Sequence, residues 1–153
     1  MSIANTKWET FLNEKELKAV GVVICLNDND EFLIIRRSNI DKRCGQWTMP
    51  GGHIDDEDES IEQGAIREME EEANLTCAPA DLIFLGEDKP EKYYFLAQKW
   101  SGRVNVDKPN PKSGEIEHDD YRWAGLDEIK DIDDTEIPIY LLEKALEMVK
   151  NAK

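Results

Sequence analysis

Apolar residues in the first third of the chain occur in two short, nearly continuous runs. Residues 18–26 (KAVGVVICL) form the first run, and residues 31–35 (EFLII) form the second. The four residues between them, NDND at positions 27–30, are typical of a turn. Runs of this length on both sides of a turn predict a β-hairpin.

Two later segments have helical periodicity instead. Ser60 is a suitable N-cap for a helix that we expect to run to about Ala73. Near the C-terminus, apolar residues again recur at helical spacing, and Pro138 suits the first turn of that helix. The apolar positions concerned are Ile61, Ala65 and Met69 in the first helix, and Leu142, Ala145, Leu146 and Val149 in the second.

Four further segments are predicted strands: residues 82–85, 93–99, 103–106 and 121–124. Residues 107–120 are rich in Pro, Asn and acidic side chains and are predicted to form a loop. This order predicts an α/β sandwich with a mixed sheet. A chain of 153 residues has room for one good core, so we expect one domain over residues 1–153.

The formal net charge of -15 argues against binding nucleic acid or an anionic membrane through the general surface. A phosphate-bearing substrate is compatible with this charge if metal ions and a few local cations reverse the sign at its site. The N-terminus lacks the pattern of a signal peptide, and the three cysteines lack the spacing of a zinc site or a disulfide framework. We therefore expect a cytoplasmic location.

An acidic segment lies within the first predicted helix. At about 100° per residue, Glu68 and Glu72 lie almost above one another, Glu71 lies slightly further round, and Glu70 points to the opposite side. Glu68 and Glu72 flank the apolar stripe, at the edge of the face that should be buried. Like charges placed there repel unless cations compensate them. Mg²⁺ or Mn²⁺ prefers oxygen ligands and supplies such compensation.

Residues 52–75 resemble the Nudix box. That pattern begins with Gly, then has five residues of any kind, Glu and seven further residues of any kind. It ends with Arg, Glu, an apolar residue, any residue, two Glu, any residue, Gly and an apolar residue. The positions in register are Glu59, Arg67, Glu68, Met69, Glu71, Glu72 and Leu75. Six residues, rather than five, separate Gly52 from Glu59, which indicates an insertion in the acidic loop 55–58. Asn74 replaces the later Gly, and we expect it to adopt the left-handed conformation that follows a helix end.

The resemblance implies a Nudix-type α/β/α sandwich and a metal-dependent pyrophosphohydrolase. Such an enzyme cleaves the diphosphate linkage of a nucleoside diphosphate joined to another group and releases a nucleoside monophosphate. By the same resemblance, Glu68 and Glu72 are the leading ligands of Mg²⁺ or Mn²⁺. Glu71 is either a further ligand or the base that activates water, and the Gly52 carbonyl is a backbone ligand.

Other residues are assigned supporting or substrate-binding roles through the resemblance. Glu59 and Arg67 are expected to pair and to hold the loop on the helix. Arg36 and Arg37 are candidates for a phosphate contact, although neighbouring strand residues face opposite ways, so at most one should point at the substrate. Glu117, in the late loop, is a candidate metal ligand or base.

The sequence leaves the substrate open. In the family, a Pro or a Tyr downstream of the box distinguishes ADP-ribose from dinucleoside polyphosphates, but Pro90 and Tyr93 satisfy both rules. A nucleoside triphosphate, ADP-ribose or a nucleotide sugar, and a dinucleotide all remain candidates. The alternative from another class is a non-catalytic module that binds nucleotide or metal.

Aromatic residues and histidines receive structural interpretations. Trp47 and Trp123 are expected to pack rather than to stack on a base, and His53 and His118 to be hydrogen-bonding surface residues. In the N-terminal segment, Trp8 and Phe11 can pack on a partner subunit, which leaves a homodimer open.

Overall fold

The computed structural model describes residues 19–39, 42–133 and 135–152. The strands of these residues are β1 (Val20–Ile24), β2 (Phe32–Arg37), β3 (Trp47–Thr48), β4 (Gly51–His53), β5 (Leu75–Thr76), β6 (Leu82–Glu87), β7 (Lys92–Ala97), β8 (Ser101–Gly102) and β9 (His118–Ala124). The α-helices are α1 (Ile61–Ala73), α2 (Leu126–Lys130) and α3 (Ile139–Ala152), and a 3₁₀ turn covers Pro79–Asp81.

The strands form a mixed arrangement, as predicted. One sheet has four strands in the order β4-β1-β7-β6, in which β1 and β7 are parallel and the other pairs are antiparallel. A second sheet has the order β3-β2-β9 with antiparallel pairs, and β5 and β8 form a small separate pair. The Gly21↔Gly52 and Val22↔Gly51 pairs bring the glycine-rich segment beside β1.

The predicted hairpin is only partly correct. The turn is present, because the Asn27 N–H donates to the Glu31 carbonyl and Leu26 pairs with Phe32. The Leu33 N–H also donates to the Cys25 carbonyl, and beyond this bond the two strands separate. Strand β1 then lies between β4 and β7, whereas β2 lies between β3 and β9. Both strands are almost entirely buried, so each requires a neighbour on both edges and cover on both faces.

Alternate residues of these central strands enter two separate cores. On one side, Val22, Ile24, Phe32 and Ile34 pack with residues of α2 and α3 and form the α3-side core. On the other side, Val23, Cys25, Leu33 and Ile35 pack with Ala65, Met69 and Ala73 of α1 and form the α1-side core. The result is the α/β/α sandwich that was predicted, with α1 on one face and α3 on the other.

Helix α1 begins and ends where the sequence predicts. The Ser60 hydroxyl accepts a hydrogen bond from the Gln63 N–H at 3.1 Å, which satisfies one of the free donors of the first turn. Asn74 follows the helix with φ 64, in the left-handed region that Gly most often occupies at a helix end. Asn74 also donates from its side chain to the Arg103 carbonyl.

The strand predicted at residues 103–106 is wrong. The chain there follows the end of α1 instead of pairing in a sheet, because the Asn105 N–H donates to the Ala73 carbonyl. Val106 is buried in the α1-side core, which accounts for its apolar character. Strand β9 begins at His118, three positions before the predicted start, so the preceding loop is shorter than expected.

His118 is buried rather than on the surface, because β9 pairs with β2 at this position. Trp47 and Trp123 pack against opposite cores, as predicted, and Trp123 stacks on Trp100 with ring centroids 5.5 Å apart. The residues proposed for a homodimer contact, Trp8 and Phe11, lie outside the described residues, so that interpretation stays a prediction. Among the described residues, no helix combines the length and apolar composition required to cross a membrane.

The approach of α1 to β1 depends on Gly21. A Cβ at this position would lie 2.8 Å from the Ala65 Cβ and 3.3 Å from its Cα. We predict that Gly21→Ala lowers the free energy of unfolding by about 2 kcal/mol, because the helix must shift away from the sheet. Urea unfolding of Gly21→Ala, Ala65→Gly and the double variant measures this. A double variant whose loss merely equals the sum of the two single losses would contradict the close contact as the cause.

Candidate active site

A cavity of about 620 Å³ opens beside β1, β4 and the acidic side of α1. Its floor includes Val20, Val22 and the Gly51-Gly52 backbone. Charged side chains of both signs line its walls, and they come from elements far apart in the chain. The acids are Asp55, Glu68, Glu72 and Glu117, and the cations are Arg37, Arg43, Lys92 and Lys112.

The two carboxylates predicted as leading metal ligands lie together at one end of this cavity. Glu72 accepts a hydrogen bond from the Gly51 N–H at 2.9 Å. Glu68 lies against Gly52, since a Cβ on Gly52 would be 2.5 Å from the Glu68 Cδ. Residue 52 must therefore lack a side chain for the Glu68 carboxylate to occupy this place. The Gly52 backbone is thus beside Glu68, and its role as a metal ligand stays a prediction.

Both carboxylates are held in surroundings that disfavour their charge. Burial raises the pKa of Glu68 to about 7, with a further contribution from Glu71, against the effect of Arg67. Burial also raises the pKa of Glu72 well above its usual range, and Glu68 and Glu117 add to the rise. The Gly51 N–H and Arg37 act in the opposite direction on Glu72. A cation at this end of the cavity would relieve both carboxylates.

Arg67 is the main internal counter-charge of this acidic end. Its guanidinium bonds the Glu68 and Glu71 carboxylates, each at 3.2 Å, and the His53 carbonyl, also at 3.2 Å. It also makes two hydrogen bonds to Asp58, at 2.9 Å and 3.0 Å. The hydrogen bond to Asp58 is the largest cause of the raised pKa of Arg67, so this residue remains charged. Arg67 thereby connects α1 to the loop before it.

The acid that pairs with Arg67 is Asp58, so the prediction for Glu59 is wrong. Glu59 is exposed, whereas the Asp58 side chain is 8% accessible and also accepts a hydrogen bond from the Asp55 N–H. Five residues separate Gly52 from Asp58, which is the spacing of the family pattern, so the extra residue lies after the pairing acid. A search for either carboxylate at that spacing would have found Asp58.

Only one of the two neighbouring arginines lines the cavity. Arg37 does so, whereas Arg36 extends from the other side of β2 and forms an ion pair with Asp119 at 2.8 Å. The Arg36 guanidinium also lies 5.8 Å from the centre of the Trp47 ring. The prediction of a substrate contact therefore stays with Arg37 alone, because adjacent strand residues face opposite ways.

Glu117, at the end of the late loop, also lines the cavity. It accepts a hydrogen bond from the Asn110 side chain at 2.7 Å, and Asn110 also lines the cavity. In the same loop, Lys112 pairs with Asp55 at 2.9 Å, so the loop contacts the acidic segment before α1. No local pattern in the sequence marks Asn110, Lys112 or Asp55 as site residues, because their proximity depends on how the loop folds back.

Glu71 differs from Glu68 and Glu72 in its position. It is bonded to Arg67 and is not among the described residues that line the cavity. Within residues 19–39, 42–133 and 135–152, no three His, Cys, Asp or Glu side chains are arranged to hold a metal ion together. The donors at the acidic end are nevertheless hard oxygens, and their raised pKa values indicate a need for positive charge. The chemistry of these residues therefore fits a divalent cation.

Comparison with known proteins gives a family match and several similar chains. A model of the NUDIX domain matches residues 15–144. The chain is 35% identical over 90 residues to the 8-oxo-dGDP phosphatase of Danio rerio. The aligned region covers 57% of this chain and 26% of that protein. This chain thus spans about a quarter of the length of that relative.

A second relative is matched over most of its length. The chain is 33% identical over 123 residues to the bis(5'-nucleosyl)-tetraphosphatase [asymmetrical] of Caenorhabditis elegans. The aligned region covers 73% of this chain and 81% of that protein. Among solved structures, an Ap4A hydrolase binary complex from C. elegans superimposes with a TM-score of 0.62 at 25% identity. That superposition covers 86% of this chain and 98% of the other.

The Asp58–Arg67 contact yields a stability prediction. We expect Asp58→Asn to lower the free energy of unfolding by about 2 kcal/mol, because a largely buried, doubly hydrogen-bonded charge pair is lost. The neighbouring change Glu59→Gln should alter stability by less than about 0.5 kcal/mol, as is usual for an exposed position. Urea unfolding at neutral pH measures both, and equal losses in the two variants would contradict the assignment of Asp58.

Glu68 yields a prediction for pH dependence without metal. Its pKa is about 7 in the folded protein against 4.5 ordinarily, so its contribution to stability is lost as pH rises through that range. Relative to wild type, Glu68→Gln should therefore gain about 1–3 kcal/mol between pH 5 and pH 8 in the presence of a chelator. Thermal unfolding of both proteins measures this, and a stability difference that is constant with pH would contradict it.

Proposed function

The chain belongs to the Nudix family, and on that premise we propose that it is a metal-dependent pyrophosphohydrolase of small nucleotides. It cleaves the diphosphate linkage of a nucleoside diphosphate joined to another group and releases a nucleoside monophosphate. One observation carries the proposal: the partly buried carboxylates Glu68 and Glu72 face a cavity that also contains Glu117 and Arg37.

The residues proposed to hold the metal are Glu68, Glu72 and the Gly52 carbonyl. Their oxygens suit Mg²⁺ or Mn²⁺, and a divalent cation offsets the cost of two neighbouring buried negative charges. When bound, such an ion neutralises phosphate oxygens and lowers the pKa of coordinated water. The Gly51 N–H holds the Glu72 carboxylate in place for this role.

Other residues of the chain act on the substrate and the water. Arg37 stabilises the negative charge that develops on the phosphate oxygens during cleavage. Glu117 is the better placed of the two proposed bases, because it lines the cavity while Glu71 is bonded to Arg67. In this scheme Glu117 takes a proton from a water molecule while the oxygen of that water attacks phosphorus. The leaving phosphate departs with the electrons of the broken P–O bond.

The relatives support nucleotides as the substrate class. Their names refer to 8-oxo-dGDP in one case and to a bis(5'-nucleosyl) tetraphosphate in the other. We propose a substrate of this general kind, among which nucleoside triphosphates, ADP-ribose or nucleotide sugars, and dinucleotides are candidates. The proposed location is cytoplasmic, where such nucleotides occur, and no stable nucleic-acid partner is proposed for a chain of net charge -15.

A non-catalytic module that binds nucleotide or metal is the second candidate. One observation favours it: the Arg67 guanidinium already bonds Glu68 and Glu71, so part of the acidic charge is neutralised within the chain. A module of this kind would be stabilised by a nucleotide without forming any product. Product analysis by mass therefore separates the two candidates.

We predict that Glu72→Gln lowers metal-dependent turnover at least about 100-fold, because it removes a charge that the metal requires. The fold should survive, since the amide oxygen can still accept the Gly51 N–H. The measurement is hydrolysis of nucleoside triphosphates, ADP-ribose and dinucleoside polyphosphates with Mg²⁺ or Mn²⁺, compared with hydrolysis after chelation.

Glu70→Gln is the matched control, because Glu70 is exposed on the other side of the same helix. It should retain the turnover of wild type. Full activity in Glu72→Gln would overturn the assignment of the metal end. Stabilisation by a nucleotide with no product from any substrate would favour the binding module.

A further inference from the structure

One carboxylate outside the acidic end contacts three cations from two separate segments of the chain. Glu136 lies 3.2 Å from Arg43, 3.5 Å from Lys89 and 3.6 Å from Lys92 between charged atoms. Arg43 and Lys92 also line the cavity, whereas Glu136 and Lys89 do not belong to its described lining. Glu136 therefore lies behind the cavity wall. Two of its partner cations, Arg43 and Lys92, contact Glu136 and also line the cavity.

The segment that carries Glu136 is anchored on both sides. The Thr135 hydroxyl donates to the Trp47 carbonyl at 3.0 Å, and the Ile137 N–H donates to the Thr135 hydroxyl at 3.3 Å. Ile137 is buried in the α3-side core. Glu136 is thus held at a defined place next to Arg43 and Lys92, unlike a carboxylate on a free surface loop.

Lys92 is not an ordinary surface lysine. Its side chain is 20% accessible, and its ammonium lies 5.7 Å from the centre of the Tyr94 ring. Burial lowers the pKa of Lys92, while Glu136 acts to raise it. A lysine that has lost much of its hydration gains strongly from any anion that approaches it from the cavity.

The cavity has cations at some distance from its acidic end. Val20 of β1 pairs with His53 of β4 on one side and with Lys92 of β7 on the other, so β1 separates Lys92 from the glycine-rich strand beside Glu68 and Glu72. Arg43, which shares Glu136 with Lys92, lines the same cavity, as does Arg37. A chain of phosphate groups that extends across β1 from the acidic end reaches Arg43 and Lys92.

We propose that Arg43 and Lys92 form a second anion subsite, which takes a phosphate group beyond the linkage that is cleaved, and that Glu136 competes with this phosphate for both cations. The proposal deepens the proposed function and rests on it for the place of the cleaved linkage. Substrates with three or more consecutive phosphates use the subsite, whereas ADP-ribose and nucleotide sugars, which have two, do not reach it. Glu136 lowers the affinity of these two cations for phosphate, because it pairs with both of them.

Binding of inorganic tripolyphosphate, measured calorimetrically with a chelator present, tests the subsite without metal or turnover. We expect Glu136→Gln to bind tripolyphosphate about five-fold more tightly than wild type, because the competing carboxylate is gone. Lys92→Met, which keeps the apolar stem, and Arg43→Gln should each weaken binding about five-fold or more. Glu143→Gln removes the same charge from an exposed position of α3 and should leave binding unchanged.

A gain of affinity in Glu136→Gln cannot come from misfolding, so this variant decides the outcome even if Lys92→Met is unstable. Equal affinity in wild type and Glu136→Gln, or an equal gain in Glu143→Gln, would overturn the subsite.

Turnover adds a second readout: Glu136→Gln should lower KM for a nucleoside triphosphate at similar kcat and leave KM for ADP-ribose unchanged. A gain that is equal for both substrates would contradict the assignment to an additional phosphate. An absence of turnover with all substrates, accompanied by the expected binding changes, would refute the hydrolase and retain the anion subsite.

Discussion

The acidic end of the cavity depends on how charge is compensated around Arg67. Four carboxylates contact this guanidinium, from Asp55, Asp58, Glu68 and Glu71. Without it, the loop before α1 and the acidic side of the helix would repel one another in a partly buried setting. Arg67 therefore holds the loop on the helix, and its bond to the His53 carbonyl joins α1 to the end of β4, whose backbone lies beside Glu68 and Glu72. Compensation is incomplete, because the pKa values of Glu68 and Glu72 remain raised.

Glycines make this arrangement sterically feasible. The absence of a side chain at Gly21 lets α1 lie close to β1, and its absence at Gly52 leaves room for the Glu68 carboxylate. The same strand pairing that aligns Gly21 with Gly52 also aligns Val22 with Gly51, whose N–H holds Glu72. The placement of the Glu68 and Glu72 carboxylates therefore depends on the packing of α1 on the sheet. A change that moves α1 away from the sheet also moves the proposed ligands.

The proposed binding of phosphate groups by so acidic a chain depends on how charge is distributed within the cavity. The net charge of -15 is not spread evenly, since Arg37, Arg43 and Lys92 face the same space as Glu68 and Glu72. Glu136 pairs with Arg43 and Lys92, so the charge of these two cations is partly neutralised within the chain. Charges of both signs in one cavity suit a substrate bound partly through metal and partly through direct cation contacts.

Local sequence patterns determined the start and end of α1, the turn at residues 27–30 and the carboxylates on one side of α1, because helical periodicity and capping depend on neighbouring residues. The resemblance to the Nudix box added Arg36, Arg37 and Glu117 as candidates, but the choice between Arg37 and Arg36 required the orientation of β2. Tertiary structure alone decided that β1 and β2 belong to different sheets, that Asp58 replaces Glu59 beside Arg67, and that Arg43, Lys92 and Glu136 meet. Those outcomes depend on contacts between residues distant in the chain, which no local pattern encodes.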